Sequence, residues 1–122
     1  MKEKILIVED ERSLNEAYEM VLSSEGYQTY SAFDGEQALK ITDDIEPDLI
    51  LLDLRMPKIG GIEFLKKYNP SKHPDVKIVI FSNLDTQKEI DEAYELGAQK
   101  YILKAWASPK ELVRMVQEVI GK

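Results

Sequence analysis

Cysteine is absent from this chain of 122 residues, which excludes a disulfide framework, a thiolate zinc site and a cysteine nucleophile within it. Long hydrophobic runs are absent too. Segments such as Leu49-Ile50-Leu51-Leu52 end far short of the ~20 apolar residues that a bilayer-spanning helix needs, and Met-Lys-Glu-Lys followed by one short apolar run makes no secretory leader. Basic charge is in deficit: 16 Lys and Arg stand against 23 Asp and Glu, a net charge of −7 at pH 7. The chain therefore lacks the basic surface that direct nucleic-acid binding requires. A hydrophobic fraction of 43% supplies a core and a charged fraction of 32% supplies a solvated surface, which excludes a disordered chain. The expectation is one acidic, cytoplasmic domain over residues 1–122, with no membrane and no nucleic acid bound directly.

Short apolar runs at residues 5–8, 29–32, 49–52, 76–81 and 101–103 alternate with amphipathic stretches. Runs rich in Ile, Val and Leu, without alternation, suit strands buried on both faces. Helical spacing appears in Leu14, Ala17, Tyr18, Val21 and Leu22, and again in Leu112, Met115, Val116, Val119 and Ile120. Ser108-Pro109-Lys110-Glu111 combines a capping box with proline at the first helical position, and Thr86-Gln87-Lys88-Glu89 and Ser13-Leu14-Asn15-Glu16 repeat the S/T-x-x-E spacing. Gly26 and Gly97 sit where helices end, and residues 69–75, with Pro70 and Pro74, read as a loop. Such strand–helix alternation means an α/β fold, a five-stranded parallel sheet with helices on both faces. Right-handed crossovers leave few orders for five strands. One is the doubly wound (βα)5 flavodoxin-like order 2-1-3-4-5, whose site lies beyond the carboxyl ends of the strands.

Those ends carry a non-random set of side chains: Glu9-Asp10 after the first run, Asp53 after the third, Ser82 after the fourth and Lys104 after the fifth. In the order 2-1-3-4-5 these strands are neighbours about 4.8 Å apart, so the groups converge on one patch. Three carboxylates at one spot need a cation or a raised pKa. With no Cys and no nearby His, a hard divalent ion with oxygen ligands fits, and Mg²⁺ takes one or two carboxylates, waters and a phosphate oxygen. An ammonium and a hydroxyl suit phosphoryl oxygens. Together these parts transfer a phosphoryl group to a carboxylate, with Asp53 as nucleophile. Taken singly, Asp10 reads as a helix cap, Lys104 as a surface lysine and Ser82 as a turn residue. The conjunction on neighbouring strand ends is what argues for chemistry.

The chain closely resembles the response-regulator receiver (CheY-like) domain of two-component signalling. The matching residues are Ile5-Leu6-Ile7-Val8-Glu9-Asp10-Glu11, Pro47-Asp48-Leu49-Ile50-Leu51-Leu52-Asp53-Leu54-Arg55-Met56-Pro57, Gly61, Ile78-Val79-Ile80-Phe81-Ser82, Gly97-Ala98 and Tyr101-Ile102-Leu103-Lys104. The resemblance implies that Asp53 is the phospho-acceptor, that Asp10 binds Mg²⁺ directly and Glu9 through water, and that the backbone carbonyl of Arg55 is a further ligand. It implies that Lys104 pairs with the phosphoryl group, that Ser82 turns inward to bond it, and that Tyr101 follows that hydroxyl as the switch aromatic. It also implies a sensor histidine kinase or histidine phosphotransfer protein as donor. The output would be an unidentified protein bound at the face of the fourth helix, fifth strand and fifth helix, and the resemblance allows a phosphorylation-dependent dimer. The expected activity is a signalling switch rather than an enzyme, apart from self-phosphorylation and autodephosphorylation at Asp53.

Several positions depart from the family's common pattern. Ala105 follows Lys104 where the family usually has a cis-proline, Asn83 follows Ser82 where a small residue is usual, and Gly60 replaces a frequent Asp before Gly61. Arg55 and Leu84 occupy positions that tune phosphate lifetime in the family. A cis bond before a non-proline residue costs about 2.5–4 kcal/mol, so the Lys104–Ala105 peptide is predicted trans, with a redirected loop and Trp106 partly exposed. His73, in a loop beside Pro74, does not read as a phosphotransfer histidine. The competing reading is a Mg²⁺-dependent phosphatase of the haloacid dehalogenase type with Asp53 as nucleophile. That family wants a second acid two residues on, where this chain has Arg55, and a cap for which 122 residues leave little room. A flavodoxin-like cofactor binder would need a phosphate-cradling loop where Glu9-Asp10-Glu11 stands.

Overall fold

Strand and helix alternate through the computed structural model, which describes residues 2–56, 58–83 and 86–121. The order is β1 (Lys4–Val8), α1 (Arg12–Ser24), β2 (Gln28–Ala32), α2 (Gly35–Asp44), β3 (Leu49–Leu52), α3 (Gly61–Tyr68), β4 (Lys77–Ser82), α4 (Gln87–Glu95), β5 (Lys100–Leu103) and α5 (Pro109–Ile120). All strand pairs are parallel and the sheet order is β2-β1-β3-β4-β5. The predicted topology is the observed one.

The apolar runs serve both faces because successive strand side chains point to opposite sides. Leu6, Val8, Ile50, Leu52, Ile78 and Ile80 face α2, α3 and α4, where they pack with Phe64, Leu65 and Ala93. Ile5, Ile7, Leu49, Leu51, Val79 and Phe81 face α1 and α5, where they meet Leu22, Leu112, Met115 and Val116. The edge strands are less covered: every residue of β5 is half-buried, and β2 opens on an exposed Gln28. That is why the second run looked weakest in sequence.

The capping boxes at the starts of α4 and α5 form as predicted, Thr86 with Glu89 and Ser108 with Glu111, the latter with Pro109 in the first turn. Gly97 follows α4 at φ +119°, a conformation that side chains resist, and a Cβ there would stand 2.8 Å from Pro70. Other expectations need correction. Ser13 is no cap: α1 starts at Arg12 behind Glu11, which makes no side-chain cap bond, and the Ser13 hydroxyl instead donates to the Glu11 carboxylate at 3.3 Å. Ala17 is exposed, while Asn15, off the predicted stripe, is fully buried. The loop at 69–75 contains a 3-10 turn, Pro70–Lys72, entered through Asn69 in the left-handed region. β4 begins at Lys77 rather than Val76, and Lys104 lies just past β5, in a 3-10 turn Lys104–Trp106 where a plain loop was expected. No cis peptide occurs among the described residues, so Lys104–Ala105 is trans as predicted.

Candidate functional site

The carboxyl ends of β1, β3, β4 and β5 deliver the predicted groups to one place. Glu9 and Asp53 are buried, Asp10 is exposed, and one carboxylate oxygen from each lies within 4.8 Å of the others. Lys104 bridges the two buried acids, donating from Nζ to Glu9 Oε1 and, at 2.9 Å, to Asp53 Oδ2. Ser82, fully buried, donates to Asp53 Oδ1 at 2.7 Å and accepts from the Leu54 N–H at 3.3 Å. The hydroxyl is thus already turned inward. The Arg55 N–H also donates to Asp53 Oδ1, at 3.0 Å, so the turn after β3 folds back on its own carboxylate. Gly61 makes that turn possible, because a Cβ there would stand 2.7 Å from the Asp53 carbonyl oxygen.

Charge at the patch is unbalanced. One ammonium faces two buried carboxylates and the nearby Asp10. Burial pushes the Glu9 carboxyl above its ordinary value, against the lowering effect of its bonds to Lys104 and to the Glu11 N–H. For Lys104, burial works to lower the ammonium, but its bonds to Glu9 and Asp53 outweigh that and hold it raised. The surplus negative charge, and a donor set of carboxylate oxygens without sulfur or imidazole, fit a hard divalent cation such as Mg²⁺. Asp53, Arg55, Asn83 and Lys104 line an open cavity of about 350 Å³ above the Asp53 carboxylate, room enough for a tetrahedral anion the size of a phosphoryl group.

Tyr101, opposite Ile80 in the ladder, is half-buried against the core beneath α4. The Arg55 guanidinium leaves the patch and meets Glu89 of α4 at 2.7 Å. No acid stands two residues after Asp53, so the phosphatase reading lacks its second carboxylate. Trp106 is 80% exposed, more than the partial exposure expected. His73 is structural: it stacks on Tyr68 and its Nδ1 meets Glu46 at 2.8 Å. Pro57 and Leu84 lie outside the described residues.

Two asparagines support the site, and sequence reading met Asn83 only as a departure and missed Asn15. Asn15 reaches from α1 to donate to the carbonyls of Glu9 and Ala32, at 3.0 and 3.1 Å, tying β1 to β2 where the acids begin. Asn83 accepts from the Ala105 N–H at 2.9 Å. Only Asn83 left a signal, as a departure from the family pattern.

The chain is similar to known proteins along nearly its whole length. The chain is 40% identical over 121 residues to a probable transcriptional regulator of Porphyridium aerugineum, covering 99% of this chain and 49% of that protein. It is 38% identical over 104 residues to the sporulation initiation phosphotransferase F of Bacillus subtilis, covering 85% of this chain and 83% of that protein. A CheY-like receiver domain from Methanospirillum hungatei superposes with a TM-score of 0.93 at 24% identity, over 99% of this chain and 95% of that one, which shows the shared fold. The chain spans about half the length of several curated relatives that it matches. The family model of the response regulator receiver domain matches residues 5–117, and with the fold, the sheet order and the acidic cluster it establishes that this chain belongs to the response regulator receiver domains of two-component signalling.

Proposed function

We propose that Asp53 accepts a phosphoryl group from a phosphohistidine of a sensor kinase or phosphotransfer protein. The observation that carries this is the convergence of Asp53, Lys104 and Ser82 beside Glu9 and Asp10 at an open cavity. Both lone pairs of Asp53 Oδ1 are taken, by Ser82 and the Arg55 N–H, whereas among the described residues Oδ2 accepts only from Lys104 and keeps a pair for attack. Oδ2 bonds to phosphorus, the phosphorus–nitrogen bond breaks, and imidazole leaves. The product is an acyl phosphate, and attack by water on phosphorus regenerates Asp53 and releases inorganic phosphate. Asp10, Asp53 and the Arg55 carbonyl would hold Mg²⁺, with Glu9 acting through water, and the pair that Asp53 would offer the ion is the one on Oδ1 that Ser82 gives up. The ion supplies charge neutralisation at the phosphoryl oxygens. Lys104 contributes the same from the protein side, and Ser82 re-aims its proton from Oδ1 to a phosphoryl oxygen.

The chain acts as a signalling switch rather than a conventional enzyme. The output is a change at the α4–β5–α5 face, read by a protein partner or a second copy. A groove of about 500 Å³ between β5 and α5, with exposed Trp106 at its rim, supports this face as the reader's site. We place the switch in the cytoplasm beside its kinase. No helix among the described residues is long and apolar enough to cross a membrane.

Incubation with acetyl phosphate and Mg²⁺ should add one phosphoryl group by intact mass, and chelation should prevent it. Equal labelling of Asp53→Asn would show that another residue is the acceptor.

A further inference from the structure

We infer that Asn83 is a positioning residue that holds Lys104 over Asp53 by clipping the backbone of the turn that follows it, an inference that rests on the phosphoryl-acceptor reading above. The last described rung of the β4–β5 ladder pairs Ser82 with Leu103. Lys104 lies one residue beyond it and opens a 3-10 turn closed by the Ala107 N–H on the Lys104 carbonyl at 3.3 Å. β5 is an edge strand, half-buried throughout, and Trp106 at the end of the turn is largely in water. Packing is therefore thin on the outer side of the turn, although the Lys104 side chain itself is only 11% exposed.

The Asn83 side chain makes good that shortage. Its Oδ1 accepts from the Ala105 N–H at 2.9 Å, which fixes the peptide joining Lys104 to Ala105. Because the partner is an N–H, the carboxamide must present oxygen there, so the amide orientation is set by chemistry. Asn83 directly follows Ser82, and Ala105 directly follows Lys104. The clip thus ties together the two backbones whose preceding side chains both touch Asp53. An N–H at position 105 is required, which alanine has and proline would lack. Asn83 also lines the cavity above Asp53, so the clip closes one wall of the reaction space.

The test uses Asn83→Ala, which removes the acceptor, and Asn83→Asp, which keeps an oxygen in place. In Asn83→Ala the Ala105 amide should exchange with deuterium faster than in the unaltered protein, and the Lys104 Nζ proton signal in nitrogen-edited NMR should broaden. Phosphorylation by acetyl phosphate should slow about three- to tenfold, the weight of one hydrogen bond, with half-saturation by Mg²⁺ unchanged. Asn83→Asp should retain Ala105 protection and the Lys104 signal. In a Lys104→Met background the Asn83→Ala change should slow the reaction no further. Unchanged Ala105 exchange in Asn83→Ala, or an equal further slowing without Lys104, would overturn the inference. Failure of the unaltered protein to take up phosphoryl would instead count against the acceptor reading, leaving the exchange and NMR measurements to judge the clip.

Discussion

At Asp53 each carboxylate oxygen has its own role: Oδ1 is held by Ser82 and the Arg55 N–H, and Oδ2 faces Lys104. Ser82→Ala removes one donor to Oδ1 and leaves the buried Leu54 N–H without its acceptor, so it should lower stability by about 1–3 kcal/mol in urea unfolding. It should also leave Mg²⁺ binding intact while phosphorylation-induced NMR shifts around Tyr101 shrink; shifts equal to those of the unaltered protein would remove Ser82 from the switch. Asp10→Ala should weaken Mg²⁺ binding more than Glu9→Ala, as titration calorimetry can check, because in the proposed site Asp10 is a direct ligand and Glu9 acts through water. The charged and hydroxyl residues of the site were legible because each stands at the end of an apolar run. Asn15 was not, since an asparagine inside a helical pattern looks like surface until the fold shows that it caps two strand ends. The already inward Ser82 was equally hidden, because rotamers leave no trace in a sequence.

Among the elements, α4 joins the site to the surface. The Glu89 carboxylate closes the α4 capping box with Thr86 and also receives Arg55 from the turn after Asp53. The Thr86 N–H bond, ahead of the Thr86 hydroxyl and the Arg55 charge, holds Glu89 below its ordinary value of 4.5. A lowered carboxyl stabilises the fold above that ordinary value, and the contribution is lost as pH falls through the lowered one. Thermal midpoints should therefore drop on acidification less steeply in Glu89→Gln than in the unaltered protein; parallel curves would show that the cap does not sense this range. Thr86→Ala should cost about 0.5–2 kcal/mol, measured by urea unfolding. Both capping boxes that the structure keeps were readable because the motif is complete within four residues. Ser13-Leu14-Asn15-Glu16 completes the same motif and still misled, because α1 already starts at Arg12 and Asn15 of that stretch is turned across the fold to the carbonyls of Glu9 and Ala32.

Across the whole molecule, stability resides in the two layers against the sheet, and the acidic cluster lies at its rim. Leu51, buried between β3 and the α1–α5 layer, should cost about 2–5 kcal/mol when changed to Ala. Trp106→Ala should change stability by no more than about 0.5 kcal/mol, since the side chain is already in water. The same unfolding experiment separates the two, and a large loss at Trp106 would mean that the turn carries the fold. Alternation and handedness narrowed the sheet to a few orders, among them the observed one, whereas the half-buried state of β5 followed only from its place at the edge. Trp106 is the chain's single tryptophan, and it is solvated three residues from the end of β5. All indole fluorescence therefore comes from one spot. With the ring 80% exposed, its emission should be that of a wet indole before denaturation as well as after, which would make it a poor gauge of unfolding. It is instead a built-in optical probe of the turn beside Lys104, silent to the core and responsive to whatever covers that rim.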